Sequence, residues 1–178
     1  NKKNLKYLPG LIVVAGLCVN MVLTVVGAYV LSRKKAKLVR PVMLLILFTM
    51  YFNGGIIPFY FIVRSLGMVN SLMALIIPTA INTYNLIIMR TSFAALPDSL
   101  EESAKLDGAG AIRILVSIVI PLSMPVIAVM ILYYAVGHWN AWFDASIYIK
   151  EREKFPLQLI LREILIINDT NSMTQGSG

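Results

Sequence analysis

The 178 residues are 58% apolar and 14% charged, with a mean hydropathy of +0.76; a typical soluble domain is about half apolar and about a quarter charged. This composition excludes an ordinary soluble enzyme and predicts a membrane protein. The formal net charge of +7 would suit a nucleic-acid-binding protein, but basic residues that flank apolar runs are typical of membrane proteins, so no nucleic-acid partner is expected.

Four long stretches without a charged residue set the predicted topology. They contain 26, 23, 25 and 30 residues, and a helix needs about 20 residues to cross the hydrocarbon core of a bilayer. Because lipid offers the backbone no hydrogen-bond partner, the spans should be helices. We therefore predict an all-α membrane protein, a polytopic helical bundle with four spans, at residues 8–31, 41–63, 71–89 and 118–143.

The loop after the first span indicates the orientation. The segment RKKAKLVR carries five basic residues and no acidic one, which places it in the cytoplasm. Residues 91–120 then form a second cytoplasmic loop, and residues 144–178 lie outside. We expect residues 1–178 to be a single transmembrane domain of a longer protein with further spans.

Glycine and proline residues predict interruptions within two of the spans. Gly54, Gly55 and Pro58 should break the second span, and Pro121 and Pro125 should kink the start of the fourth. Between them, the second cytoplasmic loop predicts a short amphipathic helix. Asp98 and Glu101 have the spacing of a capping box on its polar side, the apolar side includes Leu100, and Gly108 should end the helix.

A spaced motif in that loop resembles a known family. E-S-A-x-x-D-G begins at Glu102 and is followed, nine residues after Gly108, by I-x-I-P ending at Pro121. It is similar to the EAA loop of binding-protein-dependent ABC importer permeases, E-A-A-x-x-x-G, nine residues and I-x-L-P. Ser103 replaces the first alanine and Ile120 the leucine. The later segments GHWNAWFDA and PLQLILRE resemble the carbohydrate-uptake branch, which includes maltose-type permeases.

The resemblance implies a permease subunit of an ATP-driven sugar or oligosaccharide importer that forms half of the translocation pathway in a bacterial cytoplasmic membrane. It implies three protein partners: an ABC ATPase dimer, a second homologous permease and an extracytoplasmic sugar-binding protein. ATP and Mg²⁺ would be bound by the ATPase, so this multi-pass chain should have no catalytic residue, metal or cofactor of its own. The residues expected to couple to the ATPase are Glu101, Glu102, Ser103, Ala104, Asp107 and Gly108.

Polar and aromatic side chains in the spans are candidates for the substrate path, because amides and aromatic rings suit sugars. They are Tyr60, Asn82, Tyr84, Asn85, Trp139, Asn140 and Trp142. Packing and hydrogen bonds between helices, or anchoring of tryptophans at the membrane interface, would explain the same residues. An ATPase-independent facilitator or secondary transporter of a small polar solute stays open as an alternative function.

Overall fold

A computed structural model describes residues 8–33, 38–52, 54–71, 73–140, 146–149 and 158–166. Every regular element within those ranges is helical, which confirms the predicted all-helical fold class. The helices are α1 (Leu8–Ser32), α2 (Val39–Tyr51), α3 (Ile56–Ser65), α4 (Met73–Ile76), α5 (Thr83–Ala94), α6 (Asp98–Leu106), α7 (Ala111–Ile114), a π-helical turn (Leu115–Val119), α8 (Ile120–Leu122), α9 (Met124–Trp139), and short helical segments at residues 146–148 and 158–166.

The predicted number of four spans is not confirmed. One helical segment among the described residues, Val13–Ser32 of α1, is long and apolar enough to cross a membrane by itself. Two interrupted pairs, α2 with α3 and the Ala111–Leu122 segment with α9, bring the number to three if each pair is one span. The third predicted span, 71–89, is divided between α4 and α5. Pro78 lies in the gap, where its missing N–H and fixed ring oppose a continuous helix.

The interruptions predicted from glycine and proline are confirmed. The second predicted span is broken between the end of α2 and the start of α3, and Gly55 there has a φ of +85°, a left-handed value that glycine adopts without steric cost. The helical segment ending at Leu122 meets α9 at an angle of 86°. Ser123 occupies that break, with Pro121 and Pro125 close on either side.

The chain divides into two compact units, each with its own core. The first comprises Asn1–Leu17, Gly55–Thr79 and Ala135–Gly178, and the second comprises Cys18–Gly54 and Ala80–Tyr134. The core of the first unit is formed by Val63, Ala74, Leu75, Ile149 and neighbouring side chains. The core of the second unit draws apolar side chains from α1, α5, the π-helical turn and α9, including Ala28, Met89, Phe93, Val119 and Met130. The motif-bearing loop belongs to the second unit.

Candidate functional site

The short helix α6 has a sequence that fixes both of its ends. It begins directly after Pro97. Asp98 and Glu101 lie in its first turn and Lys105 in its last, the charge order that the helix dipole favours. At the other end, Gly108 donates a backbone hydrogen bond to the carbonyl of Lys105 (3.0 Å), and Ala109 donates one to that of Ala104 (2.9 Å). These two bonds form a Schellman motif, and the φ of +78° at Gly108 suits the glycine that this motif prefers.

The inward side of α6 carries a charged residue, which the sequence analysis did not expect. Glu101 is only 7% exposed, and its Oε1 forms an ion pair with Nη1 of Arg33, the residue after α1. Nζ of Lys105 lies 3.7 Å from Oε2 of the same carboxylate. Ala104, almost one turn later, packs against the core of the second unit. Glu101 is thus turned toward α1, and the predicted capping box is wrong because Asp98 is already inside the helix, after Pro97.

Arg33 is held by its surroundings on two sides. Its guanidinium carbon lies 4.3 Å from the centre of the Tyr29 ring, a distance at which the ring attracts a cation. Burial lowers the pKa of Arg33, whereas electrostatic interactions with Tyr29 and Asp98 act to raise it. A guanidinium does not lose its proton in proteins, so Arg33 stays a cation beside the Glu101 carboxylate.

The outward side of α6 and the turn after it present the other predicted coupling residues. Glu102, Ser103 and Asp107 are exposed. Two large apolar side chains accompany them, because Leu106 is 89% exposed and Ile112 is 80% exposed. The six predicted coupling residues are therefore divided. Glu101 and Ala104 face the core, three residues face outward, and Gly108 forms the turn.

A polar cluster includes two of the predicted substrate-path residues, the exposed Asn82 and the buried Asn85. Oδ1 of Asn82 accepts a hydrogen bond from the backbone N–H of Asn85 (3.1 Å) and so caps α5. The N–H of Asn82 donates to the hydroxyl of Tyr134 (3.1 Å), which shares a 2.7 Å hydrogen bond with the hydroxyl of Thr24. Thr24, Asn85 and Tyr134 are buried. These contacts connect α1, the start of α5 and α9, whereas Tyr84 is exposed.

The remaining substrate-path candidates lie elsewhere. Tyr60 is partly buried in the first unit, where its ring stacks on that of Tyr148 with centroids 6.1 Å apart. Trp139 and Asn140 are exposed at the end of α9. Trp142 lies outside the described residues. The structure thus groups Asn82 with Asn85 and places Tyr60 in a separate aromatic contact.

Comparison with known proteins identifies the family. Residues 21–174 match the family described as the binding-protein-dependent transport system inner membrane component. The chain belongs to this family. This membership confirms the family resemblance seen in the loop motif.

Two relatives from Bacillus subtilis show how far the similarity extends. The chain is 45% identical to the polygalacturonan/rhamnogalacturonan transport system permease protein YtcP of Bacillus subtilis (strain 168), over 93% of this chain and 60% of that protein. It is 46% identical to Protein LplC of the same organism, over 89% of this chain and 54% of LplC. The chain therefore spans little more than half the length of these relatives.

A solved structure supports the permease fold. The chain matches the crystal structure of a bacterial ABC transporter involved in the import of the acidic polysaccharide alginate, with a TM-score of 0.83 and 37% identity. The match covers 85% of this chain and 54% of that one. The permease fold is thus shared over most of the residues given.

Sequence reasoning missed two residues that organise this permease chain. In the sequence, Arg33 is one of several basic residues flanking a span, but in the structure it pairs with Glu101. Thr24 stands in an apolar run, and in the structure it is completely buried and bonded to Tyr134. The available signal was the pair Asn20 and Thr24, four residues apart in an apolar run. That spacing puts both on one helix face, and both are buried.

Proposed function

We propose that this chain supplies half of the transmembrane pathway of an ATP-driven, binding-protein-dependent importer of sugars or oligosaccharides. A second homologous permease supplies the other half, an ATPase dimer binds ATP and Mg²⁺ on the cytoplasmic side, and an extracytoplasmic binding protein delivers the substrate. The chain crosses the bacterial cytoplasmic membrane several times and has no catalytic activity. Helix α6 couples it to the ATPase.

The observation that carries the coupling role is the exposed side of α6. Glu102 is exposed there, and two apolar side chains nearby in the sequence, Leu106 at the end of α6 and Ile112 in α7, are almost fully exposed. Burying one such aliphatic side chain contributes about 1.5–3 kcal/mol. A groove on the partner that buries Leu106 and Ile112 and places a basic residue beside the Glu102 carboxylate would be complementary to this surface. The anchored inner side, with Glu101 and Ala104, allows α6 to transmit force as a fixed body.

The proposed substrate class follows from the relatives. One is named for polygalacturonan and rhamnogalacturonan, and the similar structure comes from a transporter of the acidic polysaccharide alginate. We extend this class to an oligosaccharide of polysaccharide origin for the present chain. Asn82, Tyr84 and Asn85 stay the candidates for contact with it at the start of α5. Uptake of labelled oligogalacturonides, compared with neutral maltodextrins, tests the assignment.

The coupling role is tested in the complete transporter reconstituted in proteoliposomes. Glu102→Lys should abolish uptake and reduce ATPase stimulation by the loaded binding protein by on the order of tenfold or more, because a reversed charge opposes a basic partner. Membrane insertion should be unchanged, since Glu102 is exposed. Arg40→Gln, an exposed charge on α2, serves as the control. Full uptake by the Glu102→Lys transporter would refute the coupling role, and uptake that needs no ATP would favour a facilitator.

A further inference from the structure

The cytoplasmic end of α1 is tied to two other helices of the second unit. Nε of Arg90, in α5, donates a 3.1 Å hydrogen bond to the carbonyl of Leu31, one of the last carbonyls of α1, which have no acceptor role inside the helix. Two residues further on, Arg33 forms its ion pair with Glu101 of α6. The end of α1 is therefore bound to α5 by one arginine and to α6 by another.

Arg33 is the main counter-charge of Glu101. Lys105, the second cation near Glu101, has a side chain that is 56% exposed, whereas that of Arg33 is 25% exposed, so Arg33 is the less solvated counter-charge. Within the described part of the chain, Nε and Nη2 of Arg33 are buried and have no hydrogen-bond partner. The carboxylate of Glu101 and the ring of Tyr29 thus determine where this guanidinium lies.

The position of Glu101 beside Glu102 gives this pair a consequence for the exposed side of α6. Consecutive residues on an α-helix are separated by about 100° around its axis. Fixing the inward direction of Glu101 therefore fixes the outward direction of Glu102. If Glu101 loses its partner, α6 can rotate about its axis, and the side chain of Glu102 is then no longer held in a single outward direction.

We propose that Arg33 is a positioning residue for α6: through Glu101 it sets the rotation at which Glu102 is presented, and it makes the cytoplasmic end of α1 move together with α6. This inference rests on the proposed coupling role of α6. Thr24 lies nine residues before Arg33 on α1, about 14 Å along the helix axis, and bonds to Tyr134. Movement of α6 would then reach the polar cluster of Thr24, Tyr134 and Asn82 through α1.

The first test separates positioning from contact by exchanging the two charges. In the reconstituted transporter, Glu101→Gln and Arg33→Gln should each reduce ATPase stimulation by the loaded binding protein on the order of tenfold, with ATPase activity in the absence of binding protein retained. Arg33→Lys, which keeps the charge, and the exchanged pair Arg33→Glu with Glu101→Arg should recover most of the stimulation. Arg40→Gln is the matched control. Wild-type stimulation in both single variants would overturn the proposal, as would an exchanged pair no better than either of them.

The second test works even if the neutralised variants assemble poorly. Arg33→Cys and Glu101→Cys are combined in a Cys18→Ala background, and the two thiols are joined by a short bifunctional reagent. Without the reagent the ion pair is missing, so stimulation should be low. Cross-linking should restore it, because the end of α1 and α6 are proposed to move together. Stimulation that stays low or falls further after complete cross-linking would overturn the proposal.

The failure of this inference and of the proposed function have different signatures. If α6 does not couple to an ATPase, the wild-type transporter shows no stimulation by the loaded binding protein and Glu102→Lys changes nothing. If only the positioning role is wrong, the wild-type transporter is stimulated and Glu102→Lys strongly reduces the stimulation. The Arg33 and Glu101 variants then behave like Arg40→Gln.

Discussion

Gly16, in the first unit, lies so close to the ring of His138 that a substitution there gives a quantitative prediction for stability. A Cβ added at Gly16 would lie 2.7 Å from Cε1 and from Nε2 of His138 and 3.2 Å from Nδ1. His138 is buried, so its ring has little room to withdraw. Overpacking of this kind costs about 1–3 kcal/mol. Gly16→Ala should therefore destabilise the protein, although alanine is the better helix former by about 1 kcal/mol.

A second glycine allows the steric cost to be measured alone. Gly137 lies in α9, is exposed, and a Cβ added there meets no described atom within 4 Å. Gly137→Ala gains the same helix propensity without the clash. The free energies of unfolding of the two variants should thus differ by about 1–3 kcal/mol. For a chain of 178 residues, this difference corresponds to about 2–12 °C in Tm, and to a smaller shift in a longer chain.

The assay is unfolding of the full-length permease in detergent micelles, by heat and by titration with SDS. The packing origin is checked by adding His138→Ala to Gly16→Ala. The double variant should be more stable than the sum of the two single effects by about 1–3 kcal/mol, because the smaller side chain removes the clash. Equal stability of Gly16→Ala and Gly137→Ala would refute the reasoning, and strictly additive effects would show that the ring is not the obstacle.

Two further predictions concern the second unit. Gly108→Ala should cost about 1–2 kcal/mol in the turn after α6, because an L-residue at a φ of +78° is strained; faster amide hydrogen exchange in α6 should report it. Gly110→Ala, at a φ of −72°, should leave exchange in α6 unchanged, and equal exchange in both variants would contradict the strain argument. A double-mutant cycle of Thr24→Val and Tyr134→Phe in SDS unfolding should give a coupling energy of about 0.6 kcal/mol and at most about 1.7 kcal/mol. Additive effects would show that their 2.7 Å hydrogen bond contributes nothing.

The features that sequence predicted well are those with a local cause. The end of α6 at Gly108, the break before α3 and the bend between α8 and α9 all follow from glycine and proline, whose backbone restrictions act on adjacent residues. Charge-free stretches likewise predicted helices, because apolar length is a property of one segment, but the predicted number of four spans is not confirmed. The family motif carried the same kind of information, a set of residue types at fixed spacing.

The features that sequence missed depend on partners distant in the chain. Periodicity predicts Glu101 on the polar side of α6. Its carboxylate faces inward because it pairs with Arg33, 68 residues earlier in the sequence, and this ion pair offsets the cost of burying a charge. The third predicted span failed for a related reason. Its absence of charge suggested one continuous helix, but Pro78 and the capping side chain of Asn82 start α5 afresh. A count of charged residues along the chain detects neither the ion pair with Arg33 nor the interruption at Pro78 and Asn82.

The two consecutive glutamates of α6 show why motif reading and structure have to be combined. The family pattern singles out Glu102, and the structure turns that residue outward and Glu101 inward. Since neighbours on a helix point about 100° apart, one partner surface cannot hold both carboxylates in the same way. Reversing the charge at Glu102 should therefore be compensated only by a charge change in the ATPase. Reversing the charge at Glu101 should instead be compensated by Arg33→Glu within this chain. The location of the compensating residue distinguishes contact from positioning.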